Sequence, residues 1–79
     1  MIKIHISSRE KDLINQIFKD NNYFDFSDNY IVVKKTNINE IAELIGDYFV
    51  KYGLDRKLNP TPLGVEIEKL QDKFLSYVD

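Results

Sequence analysis

The chain has no cysteine among its 79 residues. This absence excludes a disulfide bond, a thiolate metal site and a cysteine nucleophile, and it makes the cytoplasm the expected location. The first twelve residues, MIKIHISSREKD, contain no long apolar run. Neither a secretory signal nor a membrane span is therefore predicted there.

An excess of one charge is also absent, because 13 acidic residues nearly balance 11 basic ones. The resulting net charge of −2 gives no general attraction to nucleic acid. Glycine and proline are scarce, with three and two copies, while 43% of the residues are hydrophobic. Residues 1–79 are therefore predicted to form one folded domain rather than a disordered chain.

The first strand is predicted from an alternating pattern and the first helix from a capping sequence. Residues 2–6, IKIHI, alternate strictly, which predicts a half-buried strand with Lys3 and His5 on an exposed face of the sheet. Ser7 stands three residues before Glu10, the spacing of a capping box that opens a helix. The apolar stripe of this helix is predicted to contain Leu13, Ile14, Ile17 and Phe18.

The stretch DNNYFDFSDNY, residues 20–30, predicts a β-hairpin after that helix. Asp20-Asn21-Asn22 is expected to end the helix, and a second strand is predicted near Tyr23–Phe26. A turn over residues 27–29 then leads into a third strand over residues 30–35. An EF-hand calcium loop starting at Asp20 is not supported, because its required ligands and glycine are replaced by Phe24, Asp25 and Ile31.

The next helix shows the clearest amphipathic spacing in the chain. Asn37 and Glu40 repeat the capping-box spacing at its start. Gly53 is predicted to take a left-handed conformation at its end, with Leu54 making the apolar contact of a Schellman motif. Its apolar stripe is predicted to contain Ile38, Ile41, Ala42, Ile45, Tyr48, Phe49 and Tyr52.

A polar connection over residues 55–60 leads to a last helix, capped by Thr61 with Pro62 at its first position. Gly64 lies in the first turn, where glycine is unfavourable. A close backbone approach by another element or a partner would explain it, and so would a later helix start. The predicted buried stripe contains Leu63, Ile67, Leu70, Phe74 and Tyr77.

These elements predict an α+β domain with the order β-α-β-β-α-α, in which a small three-stranded sheet has helices on one face. If Phe24 and Phe26 face the core, Tyr23 and Asp25 face outward. Exposed tyrosine beside aspartate suits a protein partner, although these aromatic residues could also simply cover the sheet edge. The predicted contact surface comprises Tyr23, Asp25, Asp28, Asn29 and Tyr30, with Glu66, Glu68 and Asp72 as a second acidic face.

Catalysis has little support in the sequence. His5 is the only histidine, and its strand neighbours Lys3 and Ser7 provide no orienting carboxylate. No G-x-S-x-G, P-loop or G-x-G-x-x-G motif is present, so no cofactor and no metal are predicted. A small enzyme remains the third alternative, which turnover dependent on His5 or a carboxylate would support.

Nucleic-acid binding is the second alternative. Its basic residues would be Lys34 and Lys35 after the third strand, and Arg56 and Lys57 in the connection. The last two helices could then form a helix-turn-helix with the hairpin as a wing. Acidic residues on the last helix argue against this, because a recognition helix lies among phosphates.

The run Gly64-Val65-Glu66-Ile67-Glu68-Lys69-Leu70-Gln71-Asp72 resembles a G-x-E-(I/L)-E-x-L-x-D pattern. This pattern is found in C-terminal helices of small acidic bacterial proteins, including immunity proteins of contact-dependent inhibition systems. The resemblance covers about one tenth of the chain. It implies a non-enzymatic protein that binds and neutralises one cognate toxin, often a nuclease. The expected partner is thus a protein rather than nucleic acid or a membrane, and the resemblance assigns no individual binding residue.

Overall fold

A computed structural model describes residues 1–19 and 23–78. It confirms the predicted α+β class and the order β-α-β-β-α-α. A short 3-10 turn over Lys35–Asn37 stands before the second helix. The elements are β1 (Ile2–His5), α1 (Ser8–Ile17), β2 (Asp25–Phe26), β3 (Tyr30–Val33), α2 (Ile38–Tyr52) and α3 (Pro62–Leu75).

The sheet has the order β1-β3-β2, and both pairings are antiparallel. Ile4 lies opposite Ile31 across the β1–β3 pair, and both side chains are fully buried. Phe24 lies just before β2, and its ring contacts the ring of Phe74 from α3 at a centroid distance of 6.1 Å. The alternate strand residues thus join the helices in one apolar core.

The start of α1 confirms the predicted capping box. Ser7 Oγ accepts a hydrogen bond from the Glu10 backbone N–H at 3.1 Å, and the Ser7 N–H donates to Glu10 Oε1 at 2.8 Å. The helix ends at Ile17, earlier than predicted. Phe18 leaves the helical conformation and packs its ring edge-to-face on Phe24 at 5.1 Å. The predicted stop at Asp20-Asn21-Asn22 lies outside the described residues.

The predicted capping box at the start of α2 is wrong. Asn37 has helical dihedral angles (φ −93°, ψ −9°), and its side chain caps no backbone group. Its backbone N–H instead donates to the Lys34 carbonyl at 2.9 Å, closing the 3-10 turn that continues into α2. Because the 3-10 turn leads directly into α2, Asn37 is already helical and does not adopt the extended conformation of an N-cap residue.

The end of α2 corrects the prediction at Gly53 and decides between the alternatives at Gly64. Gly53 has φ −96°, so the predicted left-handed Schellman ending is wrong. A Cβ atom on Gly64 would lie 2.0 Å from the Gly53 carbonyl oxygen, and one on Gly53 would lie 2.9 Å from the Gly64 Cα atom. Both glycines are therefore required by a close backbone contact between the end of α2 and the start of α3.

The start of α3 agrees with its predicted cap. Thr61 Oγ1 accepts the Gly64 N–H at 3.0 Å and donates to the Gly53 carbonyl at 3.1 Å, so the cap also joins α3 to α2. Pro62 opens the helix as predicted, which removes the alternative of a later start. Tyr77 lies beyond the helix end and is 36% exposed, so its predicted place in the buried stripe is wrong.

Candidate functional site

One face of the sheet is not packed into the core, and we call it the outer sheet face. Its members alternate along the strands with the buried residues Ile4, Ile31 and Val33. The strand register places Lys3 opposite Val32, His5 opposite Tyr30, and Asp25 opposite Val32. The outer sheet face consists of Lys3, His5, Asp25, Tyr30 and Val32, which are exposed or half-buried.

Tyr30 is the aromatic centre of the outer sheet face. Lys3 Nζ lies 4.1 Å from the centroid of the Tyr30 ring. The His5 ring meets Tyr30 edge-on, with 6.2 Å between centroids and 66° between planes. A cation–π contact at an exposed site contributes about 0.5–1 kcal/mol. Lys3 and His5 thus contact the Tyr30 ring from two directions.

The turn of the hairpin is fixed through its backbone. The Ser27 N–H donates to the Tyr30 carbonyl at 2.9 Å, which closes the turn from the β2 side. The Ile6 N–H donates to the Asn29 carbonyl at 3.0 Å, which ties the turn to the end of β1. Asp28 and Asn29 are exposed on this turn. Their polar side chains are therefore presented from a backbone anchored on both sides.

Tyr23 is placed differently from the other predicted hairpin residues. It is half-buried and packs edge-to-face with Phe18 at 5.9 Å and with Phe24 at 6.2 Å. The prediction that Tyr23 simply faces outward is therefore wrong, because the aromatic cluster takes up much of its ring. Tyr23 and Asp25 nevertheless line the same shallow depression of about 110 Å³ beside the outer sheet face.

The predicted acidic face on α3 is not continuous. Helical geometry places Glu66 and Glu68 about 160° apart around the axis, whereas Glu68 and Asp72 are only about 40° apart. Glu66 accepts two hydrogen bonds from Arg9, one from Nε at 2.7 Å and one from Nη2 at 3.1 Å. This pairing lowers the pKa of Glu66 and raises that of Arg9. Glu68 and Asp72 remain exposed neighbours.

Lys73 on α3 makes a second ion pair, with Glu10 on α1, and also a hydrogen bond to the end of β1. Lys73 Nζ lies 2.7 Å from Glu10 Oε2 and also donates to the His5 carbonyl at 3.1 Å. Partial burial acts to raise the pKa of Glu10, but the hydrogen bonds from Lys73 and Ser7 outweigh it and lower the pKa. Sequence reasoning missed this contact, since the two charged residues lie 63 positions apart.

The basic residues of the nucleic-acid alternative are divided between two places. Lys34 and Lys35 precede α2, whereas Arg56 and Lys57 follow it. The 15 residues of α2 separate the two pairs by about 22 Å. Nine residues, 53–61, also join α2 to α3, against about 3–4 in a helix-turn-helix. The described structure thus assembles neither a continuous basic patch nor that motif.

The described residues provide no group of three histidine, aspartate or glutamate side chains that could hold a metal ion. Within the same residues, no helix has the length and apolar character needed to cross a membrane. No protein family, curated protein or solved structure matches this chain.

Proposed function

We propose that this chain is a non-enzymatic protein-binding module, and that it acts as an immunity or inhibitor protein. It binds a cognate toxin through the outer sheet face and the hairpin turn. The observation that carries this proposal is the Tyr30 ring, in contact with Lys3 and His5 on a sheet face whose described residues are exposed or half-buried. The toxin class follows from the resemblance of the α3 sequence to immunity proteins.

The chemistry of the outer sheet face supports a protein partner. Tyrosine is enriched at the energetic centres of protein interfaces, because it offers a large apolar area and a hydroxyl group at little cost in rotamer entropy. Here the ring is already oriented by Lys3 and His5, which lowers the ordering cost further. Asp25 and the turn residues Asp28 and Asn29 supply the polar rim that surrounds such centres.

The acidic residues of the hairpin support a basic target. Asp25 and Asp28 are both exposed, and the chain as a whole has a net charge of −2. A nuclease must present basic groups to the phosphates of its substrate. Carboxylates on an inhibitor can occupy the same basic cleft, and they raise the rate of association through electrostatic steering. Asp25 and Asp28 thus support a nuclease toxin as the target class.

The test is affinity capture from the source cells with a tagged copy of the chain, with and without nuclease treatment. We expect one stoichiometric protein that stays bound after nuclease treatment and is toxic when produced alone. Asp25→Ala combined with Tyr30→Ala should weaken this complex at least about 10-fold, as expected for loss of a central tyrosine. Glu43→Ala, an exposed carboxylate on α2, is the matched control and should leave binding unchanged.

Two results would contradict the proposal. Recovery of nucleic acid, or of proteins that are lost on nuclease treatment, would favour the basic residues before and after α2 instead. Equal binding by the double variant and the wild type, with both folded by circular dichroism, would remove the outer sheet face from the interface.

A further inference from the structure

A second surface lies on the helical side of the molecule, in the groove between the end of α1 and α2. We call it the helical groove. Its volume is about 300 Å³, and its walls include Ile17 from α1 and Leu44, Tyr48 and Tyr52 from α2. None of these residues belongs to the outer sheet face, so the groove is independent of the function proposed above.

The α2 wall of the helical groove carries an exposed apolar stripe. Leu44, Tyr48 and Tyr52 recur at intervals of four residues, which places them on neighbouring turns of one helix face. Leu44 is 37% exposed and Tyr52 is 59% exposed. The Tyr48 and Tyr52 rings lie 4.7 Å apart and form a continuous aromatic surface. Exposed apolar surface with a polar rim is typical of protein contact sites.

The charged residues beside this stripe can pair with those of a second, antiparallel copy. Asp47 and Lys51 also line the groove and lie one helical turn apart, on the same side of the stripe. A second copy of α2 could lie antiparallel on the first, with a two-fold axis between the levels of residues 48 and 49. Asp47 of each copy would then face Lys51 of the other, and Leu44 of each copy would meet Tyr52 of the other. The stripe and its charges are therefore self-complementary, as a two-fold interface requires.

We propose that the helical groove is the interface of a homodimer in which α2 of one copy packs antiparallel on α2 of a second copy. The occupant is a second copy because the same helix face supplies both members of each contact. Asp47 pairs with Lys51, and Leu44 pairs with Tyr52.

The size of the surface predicts a weak dimer. The 15-residue α2 spans about 22 Å, so two such helices and the ends of α1 give an interface near the lower limit of about 1,200 Å² for specific contacts. We therefore expect a concentration-dependent mass in sedimentation equilibrium, rising from the monomer value of 9.3 kDa toward twice that value. The rise should fall between about 10 μM and 1 mM chain.

Charge exchange gives a sharp test of the proposed pairing. Asp47→Lys and Lys51→Asp, made separately, each place like charges opposite one another twice in the dimer. Each variant alone should therefore bind itself at least about 10-fold more weakly than the wild type. An equimolar mixture of the two variants should dimerise like the wild type, because a helix with two lysines then meets a helix with two aspartates.

The matched control is Glu68→Lys, which makes the charge change of Asp47→Lys at an exposed position on α3. This control should dimerise like the wild type. Tyr52→Ser provides an apolar test at an exposed site and should also weaken the dimer. The proposal is overturned by a monomer at every concentration, by a dimer that both charge variants retain, or by a mixture that stays monomeric.

Discussion

The two faces of the sheet are built from alternate residues of the same short strands, and they differ in almost every physical property. On the inner face, Ile4 and Ile31 pair across β1 and β3 and are completely buried. On the outer face, His5 and Tyr30 are the next pair along, and they meet edge-on at a polar surface. A shift of one residue along the strand thus separates a core position from a candidate contact position.

This difference shows how a small domain can leave one sheet face without a covering helix. A chain of this length buries only about 60–65% of the surface that its unfolded form exposes, so its stability depends on one well-packed side. Here the helical side is closed by the Gly53–Gly64 backbone contact and by two ion pairs, Arg9–Glu66 and Lys73–Glu10. The outer sheet face is then available for recognition.

The largest difference in stability should come from replacing two adjacent residues of β3, one on each face of the sheet, by alanine. Ile31→Ala removes a fully buried side chain and should lower the free energy of unfolding by about 3 kcal/mol. Tyr30→Ala, at the adjacent position, loses contacts with Lys3 and His5 and should cost about 1 kcal/mol. Urea unfolding followed by circular dichroism measures both changes.

A milder core variant keeps this comparison measurable if Ile31→Ala does not fold. Ile31→Val removes one methylene and should cost about 1 kcal/mol, without creating a polar defect. If Tyr30→Ala and Ile31→Ala lower the free energy of unfolding equally, the outer sheet face contributes as much to stability as the inner one.

A smaller effect is expected from adding one methyl group on the helical side. Gly64→Ala places a Cβ atom against the Gly53 carbonyl, so the backbones of α2 and α3 must separate, at a cost of about 2 kcal/mol. Gly46→Ala is the matched control, because its Cβ would meet only the end of the Gln71 side chain. Gln71 can move at the cost of its hydrogen bond to the Ala42 carbonyl.

For Gly46→Ala, the lost hydrogen bond and the gain in helix propensity are each about 1 kcal/mol, so the midpoint of thermal unfolding should change little. If Gly64→Ala lowers the midpoint of thermal unfolding no more than Gly46→Ala does, α2 and α3 can separate at no cost in stability.

The fold could be predicted from the sequence because its main signals are local. Alternation in residues 2–6 assigns each side chain of β1 to a face, and steps of three and four identify the core positions of α2 and α3. Tyr52, also predicted in the α2 stripe, is 59% exposed, so that part of the prediction is wrong. Gly64 had more than one explanation in the sequence, and the structure decides for a close backbone contact with Gly53. The errors at Asn37 and Gly53 have one cause, since cap residues are identified by type while their conformation depends on the adjoining turn.

The candidate site could be predicted only in part. The exposed positions of Asp25, Asp28 and Asn29 follow from turn and strand patterns. The contacts of Lys3 and His5 with Tyr30 depend on the register of β1 with β3, which neither strand specifies by itself. The pairing of Arg9 with Glu66 joins positions 57 residues apart, so the predicted acidic face could not be corrected from the sequence.

The smallest effect concerns the ion pair between Glu10 on α1 and Lys73 on α3. The pKa of Glu10 is lowered in the folded chain, so its contribution to stability is present above its ordinary value of 4.5 and is lost as the pH falls through the lowered value. Glu10→Gln should therefore cost about 1 kcal/mol at pH 7 and less at pH 2. Thermal unfolding at the two pH values measures this difference.

The control for Glu10→Gln is Glu66→Gln, which removes a more exposed carboxylate from its pair with Arg9. Its effect at pH 7 should be smaller, because solvent screens an exposed ion pair. Lys73 also donates to the His5 carbonyl, so the backbone amide signals of β1 should shift in Glu10→Gln and stay unchanged in Glu66→Gln. If neither variant moves these signals, Lys73 does not couple the helical side to the outer sheet face, and the two sides act independently.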